Sequence, residues 1–452
     1  MTNRRAMSSS TTVDPDGPDV RPPSVRRPVS LSLNVRGMGQ SATLAIKAKC
    51  RALRDTGRHV VDFGLGQSPF PVPQTVVEGL KLAAAEKDYL AVEGLPALRE
   101  AVADFHRRKD GIDARPDGVL VGPGSKELMF VLQLTYYGEI ILRSPCWVSY
   151  LPQASIVGRR ISLIPTQFEA TWKITPALLR ESLKTAGDDG RPRLLVLNYP
   201  ANPTGHTYDA DELQALAEVA REFEMIVLSD EIYGQTHFRG EHVSIARYYP
   251  ERTIVSSGLS KWCGAGGWRL GTFCFPPELD WLRQSMAAVA SETYTSVCAP
   301  IQFAAVRAFR QSAEIEYYLV HVRRVLGALA ERSVGILRAG GIRVHMPAGA
   351  FYLFLDFSPM AEGLARRGIT TGAALCDELL DDTGVALLPG SHFGRGREEL
   401  TARLSYVDFD GAAALVASQS LGGDADGART VVDRHCRRVI DGMQSITDWA
   451  NA

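Results

Sequence analysis

A chain of 452 residues with 45% hydrophobic and 22% charged side chains has an ordinary globular composition and is long enough for two domains. Its net charge of -1, without a lysine-rich run, excludes a nucleic-acid or membrane-surface footprint, and no apolar run approaches the ~20 residues a membrane helix needs. Seven cysteines (50, 146, 263, 274, 298, 376 and 436) stand singly with no Cys-x-x-Cys pair, which excludes a zinc ribbon or disulfide framework, so no metal is expected and a reducing, cytoplasmic setting follows.

Residues 1–30 are rich in Pro, Ser, Asp and Arg, a composition expected to stay disordered. Arg4-Arg5 is followed by the polar "AMSSSTTVDPDGPD" and not by the apolar stretch of a leader. The spacing of "ATLAIKAKCRALRDT" predicts a helix over 42–56 that stops at Gly57, and "VVDFGLG" (60–66) predicts a strand. Two helices follow in "TVVEGLKLAAAE" and "GLPALREAVADFHRRK", then a strand ending in glycines, "GVLVGPG", and a helix, "SKELMFVLQLT". Further strands are expected in "EIILRSP", "RLLVLNYP" (193–200), "MIVLSD" (225–230) and "RTIVSSGLS" (252–260), with an amphipathic helix in "DADELQALAEVAREF". Continuous apolar strands alternating with helices predict a mostly parallel α/β sheet flanked by helices. From about 330 onward, helices mix with strands such as "AFYLFLDF" (350–357) and "TARLSYVDF" (401–409), the pattern of a smaller α+β domain. The expected partition is a tail at 1–30, an N-terminal segment at 31–75 contributing to the small domain, a large domain at 76–325 and a small domain at 326–452.

Ligands of open parallel sheets sit at the carboxyl ends of the strands. Those ends carry Gly122 to Lys126, Pro145 to Trp147, Asn198 to Gly205, Asp230 to Tyr233 and Ser256 to Lys261, so these residues are expected to converge. The fifty basic residues divide into nine lysines and forty-one arginines, and Lys261, in "GLSKWCGAGGWRLG", is the last lysine of the chain. A lysine amine becomes a nucleophile when burial or a neighbouring cation lowers its pKa, whereas arginine stays protonated and forms no stable imine. Arg269, eight residues on, supplies a cation that depresses the amine or grips an anion. Asp230 at the end of an apolar strand needs a cationic or hydrogen-bonding partner, and a protonated ring nitrogen would serve; capping the next segment is the bland alternative. Tyr233 places a phenol nearby. "GPGSKE" (122–127) turns from a strand into a helix, and its free N–H groups suit a phosphate. Walker, GxGxxG, S-x-x-K and GxSxG patterns are missing at these positions. An imine-forming lysine, a carboxylate, a phenol, an aromatic plate at Trp147 and a phosphate cradle are together the handles of pyridoxal 5′-phosphate (PLP).

Over roughly residues 34–420 the chain resembles the class I/II, fold type I PLP-dependent aminotransferases. Gly258-Leu-Ser-Lys261, followed by Arg269, Leu270 and Gly271, matches the family's lysine signature. "NYPANPTG" (198–205), "SDEIY" (229–233), "SPCWVSY" (144–150), "LPGSHFG" (388–394) and "ARLSY" (402–406) are similar to its other motifs. The resemblance implies that Lys261 holds PLP as an imine and shuttles the proton, and that Asp230 pairs with the ring nitrogen. It implies that Tyr233 and Asn202 hydrogen-bond the ring oxygen and that Trp147 stacks on the ring. Gly124, Ser125, Lys126, Arg269 and Ser260 would bind the phosphate. Arg403 would take the substrate carboxylate beside Gly66, with Asn202 close to the substrate. Tyr89 would reach the phosphate of a neighbouring subunit, which implies a homodimer, and the substrates would be an α-amino acid and a 2-oxo acid.

There are departures from the family pattern. "WCGAGGWRLG" is unusually glycine-rich, and "GLGQSPFPVP" stands where an acidic G-E-P-x-F-x-T-P is more usual. "SETYTSVCAP" (291–300) offers no arginine for a distal carboxylate, which disfavours a strict aspartate or glutamate enzyme. The same lysine and carboxylate also suit elimination, replacement or carbon–carbon bond formation on an amino acid such as S-adenosylmethionine. A transcription regulator with such a sensor domain would need a DNA-binding module, and the 30-residue tail is too short to supply one.

Overall fold

Strand Ile226–Asp230 consists of five buried residues ending in an aspartate, and it lies at the centre of a seven-stranded sheet. The structure, a computed structural model, describes residues 31–187, 190–421 and 425–452. The tail expected at 1–30 lies outside the described residues. Across the sheet the order is Val119–Gly122, Gly271–Cys274, Thr253–Gly258, Ile226–Asp230, Arg193–Asn198, Glu139–Ser144 and Ile161–Pro165. The last five run parallel to one another, as their uninterrupted apolar runs predict. Gly271–Cys274 is antiparallel to both of its neighbours, a reversal the sequence pattern did not announce. Four residues give too short a pattern to signal direction; it is set by antiparallel pairing with both Val119–Gly122 and Thr253–Gly258, the latter joined to it through residues 259–270.

Helices cover both faces. Ser125–Thr135 and Asp280–Ser291 pack with one hydrophobic cluster, while Pro176–Ala186 and Ala210–Glu222 pack with another on the opposite side. Ala210–Glu222 starts with a capping box: Asp209 accepts from the Glu212 N–H while the Glu212 side chain accepts from the Asp209 N–H. Beyond the sheet, helix Ala313–Ala339 runs for 27 residues and passes through position 325 without a break. It packs against helices Gly411–Ser420, Ala425–His435 and Arg437–Asn451.

A three-stranded antiparallel sheet orders Leu388–Pro389, Thr401–Ser405 and Tyr352–Asp356. Val61–Asp62 pairs in parallel with Val385–Ala386. The strand expected over 60–66 is thus only two residues long. Its remainder turns aside at Gly64 and Gly66, where a Cβ would lie 2.5 Å from the Ile46 side chain and 2.0 Å from the Tyr352 hydroxyl, respectively. Residues 39–452 form one compact unit, and the segment 31–38 carries the short 3-10 turn Leu33–Val35. Among the described residues no helix is long and apolar enough to cross a membrane.

Candidate active site

The carboxyl ends of the parallel strands open into a cavity of about 500 Å³. Gly66, Ser125, Lys126, Trp147, Asn202, Asp230, Tyr233, Ser260, Lys261, Arg269 and Arg403 all line it. Gly124 lies just outside against the Arg269 guanidinium, where an added Cβ would fall 2.2 Å from Nη2. Tyr89 is the exception. It does not line the cavity and stands 90% exposed on the surface.

Lys261 follows strand Thr253–Gly258, and its Nζ donates to the Gly66 carbonyl at 2.7 Å. Burial, followed by the Arg403 cation, lowers its pKa to about 8, with the Asp230 carboxylate opposing and Arg269 and Lys126 adding to the shift. A substantial share of the amine is therefore neutral near physiological pH. Arg403 arises from strand Thr401–Ser405, is only 1% exposed, and donates through Nη2 to the Gly64 carbonyl. Its guanidinium lies 5.1 Å from the Tyr352 ring centroid and 5.2 Å from that of Phe393, while its Nε has no partner.

Asp230 accepts a 2.6 Å hydrogen bond from Tyr150 Oη at Oδ2, and its buried Oδ1 is unpartnered. Burial raises its pKa to about 6 despite that bond and the Lys261 cation. Asn198 fixes the strand ends, donating from Nδ2 to the Asp230 carbonyl at 2.9 Å and accepting the Asn202 N–H at 2.8 Å. Asn202 Oδ1 is buried and unpartnered beside the cavity. The Tyr233 and Tyr352 hydroxyls meet at 2.6 Å, and burial pushes the Tyr233 phenol well above its usual value.

At the other end of the cavity, helix Ser125–Thr135 begins after Gly124, whose φ of +91° lies in the region that favours glycine. Gly271 of the antiparallel strand packs directly on this start; a Cβ there would sit 2.2 Å from the Ser125 nitrogen. Arg269 is thereby brought to the helix N-terminus, donating to Gly266 O at 2.9 Å and Pro123 O at 3.2 Å. Lys126 Nζ lies 5.4 Å from the Trp147 ring centroid, and its pKa is lowered by burial and by Arg269. Asn198 was among the strand-end residues expected to converge, whereas sequence reasoning missed Tyr352 and Tyr150 as functional positions. Tyr150 stands three residues after Trp147, closing a turn onto its carbonyl at 3.2 Å just before helix Tyr150–Ile156, and the nearness of the two aromatics was the available signal.

These features fit PLP. An orphaned carboxylate oxygen suits a protonated ring nitrogen, a depressed amine suits imine formation, and a helix start with an arginine suits a phosphate ester. Fold and site together define a PLP-dependent transferase. The pattern described as "Aminotransferase class I and II" matches residues 58–413, and the chain belongs to that family. It is 33% identical over 382 residues to an aspartate/prephenate aminotransferase of Thermus thermophilus, covering 83% of this chain and 94% of the relative. An asparagine–oxo-acid transaminase of Streptococcus mutans is 30% identical over 391 residues, again 83% of this chain and 94% of the other. The solved aspartate aminotransferase of Thermus thermophilus with maleate superposes with a TM-score of 0.76 at 30% identity, over 90% of this chain and 99% of that one. The protein is a PLP-dependent aminotransferase of fold type I, with amino acids and oxo acids as its substrate class.

Proposed function

We propose that the protein exchanges the amino group of an α-amino acid with a 2-oxo acid over a donor range that includes aspartate. The observation that carries this reading is the pair of anchors on one glycine turn: Arg403 donates to Gly64 O and Lys261 to Gly66 O. A substrate carboxylate taken by Arg403 in bidentate fashion leaves the adjacent Cα facing the Lys261 amine. When bound, PLP supplies the electron-withdrawing ring that makes the substrate Cα–H acidic. Lys261 Nζ takes that proton and returns it elsewhere, a task suited to an amine whose pKa is near 8. Asp230, with Oδ1 unpartnered and Tyr150 fixing the other oxygen, would keep the ring nitrogen protonated. Tyr233 and Asn202 would hold the ring oxygen, and Trp147 would cover the ring. Gly124, Ser125, Lys126, Ser260 and Arg269 would cradle the phosphate.

Aspartate is favoured by the names of the relatives and by the cavity's charge: Lys126, Lys261, Arg269 and Arg403 face one carboxylate, Asp230. The absence of arginine from 291–300 argues that neutral donors are also accepted. Tyr89, exposed on a single chain, supports a homodimer in which it reaches the other subunit's phosphate site. Seven unpaired cysteines, six of them buried, support a cytoplasmic setting.

The test is a single half-reaction. Holoenzyme mixed with aspartate, without an oxo acid, should yield one equivalent of oxaloacetate and of pyridoxamine phosphate per site. Consumption of the amino acid without either product overturns the reading, as does release of methylthioadenosine from S-adenosylmethionine as the main activity.

A further inference from the structure

Behind the sheet end that carries Asp230, a second polar group is buried away from the cavity of Lys261. Asp110, the last residue of helix Pro96–Asp110, Glu231 and His242 place one ligand atom each within 4.8 Å of one another. The Asp110, Glu231 and His242 side chains are 5%, 3% and 5% exposed. They surround a cavity of about 10 Å³ that His106 also lines, roughly the space one water or one ion fills.

Two observations say that this group is incompletely satisfied. The ring nitrogens His106 Nε2 and His242 Nδ1 are buried without a hydrogen bond, although both residues face the small cavity. In addition, two buried carboxylates so close together need positive charge between them. Among the described residues their ion-pair partners are only histidines: His106 Nδ1 on Asp110 Oδ2 at 2.6 Å and His242 Nε2 on Glu231 Oε2 at 2.8 Å. The nearby Arg247 donates from Nε to the Asp110 backbone carbonyl and not to its carboxylate.

We propose that Asp110, Glu231 and His242 form a binding site for one divalent transition-metal ion of the Zn²⁺ type. Imidazole with two carboxylates is a ligand set for a borderline cation, and a dipositive ion neutralises both carboxylates without either histidine having to carry a proton. His106 holds Asp110 from outside, as the outer partners of metal-bound carboxylates do. Glu231 Oε1 is steadied in the same way by Ser229 Oγ at 2.7 Å and Ser244 Oγ at 2.5 Å, while Oε2, now in contact with His242 Nε2 at 2.8 Å, is the oxygen that would turn to the ion. Ligand distances of about 2.0–2.2 Å require the three groups to draw together slightly, which side-chain rotation supplies. The three ligands come from a helix end, a strand end and a loop, so no spacing in the sequence points to them.

The holoenzyme is stripped with a chelator, incubated with Zn²⁺, passed through a desalting column and assayed for metal. The expected result is one zinc per chain, a higher Tm with zinc than without, and an X-ray absorption spectrum of one imidazole with oxygen ligands. Asp110→Asn and His242→Gln each lose the retained zinc and the Tm increment while keeping the PLP absorbance of the wild type. Failure of the wild type to retain zinc overturns the site, and so does retention that both variants share or a spectrum without imidazole. Should either variant not fold, the wild-type stoichiometry and spectrum decide alone.

Discussion

Lys261 owes its chemistry to its neighbours. Burial and the Arg403 cation lower its pKa to about 8, so the neutral, reactive fraction falls about tenfold for each pH unit well below that value. Capture of free PLP by the apoprotein should therefore accelerate as pH rises and level off above about 8. Replacing Arg403 with leucine removes one of the depressing charges and should move this midpoint upward, whereas Arg403→Lys should leave it close to the wild-type position. Stopped-flow absorbance of apoprotein mixed with PLP measures both. A midpoint indifferent to the charge at 403 would show that Arg403 does not help to depress the amine. Much of this residue-level picture was legible in advance. Lys261, Asp230 and Arg403 follow or occupy strands, are ill suited to apolar filler and fall within long motifs. Tyr352 was not legible, because one phenol in "AFYLFLDF" looks like any strand aromatic until the strand is paired with 401–405 and turned toward Tyr233.

Elements bring the anchors together. The start of helix Ser125–Thr135 lies against Gly271, and Gly124 lies against the Arg269 guanidinium, so two glycines without room for a Cβ join the helix N-terminus to the arginine. Gly124→Ala should push Arg269 away and strain a backbone whose φ is +91°. Loss of one charged contact to the phosphate is worth about 1.5–3 kcal/mol, which predicts a roughly 10- to 100-fold weaker hold on PLP. Equilibrium dialysis or fluorescence titration of the apoprotein reads this directly, and an unchanged PLP affinity would remove Arg269 from the cradle. The helix and the glycine turn were readable from "GPGSKE", because a strand, a φ-permissive turn and a helix start leave local marks. The direction of Gly271–Cys274 was not, since pairing with both Val119–Gly122 and Thr253–Gly258 is decided by contacts more than a hundred residues apart in one case.

At the scale of the whole molecule, the exposed Tyr89 gives the proposed homodimer a testable functional consequence. A site made from two chains predicts complementation. Lys261→Ala subunits lack the amine, and Tyr89→Ala subunits lack the phenol for their neighbour. A mixed dimer would hold one site with both groups intact. Refolding the two inactive or weakened variants together should restore turnover toward a quarter of the wild-type activity, as expected when half the dimers are mixed and each has one good site of two. Activity no higher than the mean of the separate variants would place Tyr89 outside the neighbouring site. The buried Asp110, Glu231 and His242 group shows the limit of reading along the chain, since its members become neighbours only once helix, sheet and loop have packed.

The reversal at Gly271 also bears on which changes of length the chain tolerates. Gly258 and Gly271 face each other across adjacent strands, and Leu259 donates to Leu270 O at 3.2 Å, so residues 259–270 form a closed hairpin with both proposed cofactor anchors, Lys261 and Arg269, inside it. An added or deleted residue must either bulge between Lys261 and Arg269 or shift the pairing and turn side chains to the opposite face. Composition is less constrained than length. Gly264 sits at φ +68° with its Cβ position 2.6 Å from Phe70 O, whereas the Cβ position of Gly267 meets nothing within 4 Å. The hairpin behaves as a ruler: its number of residues is fixed by the two anchors, while part of its glycine content is free to drift.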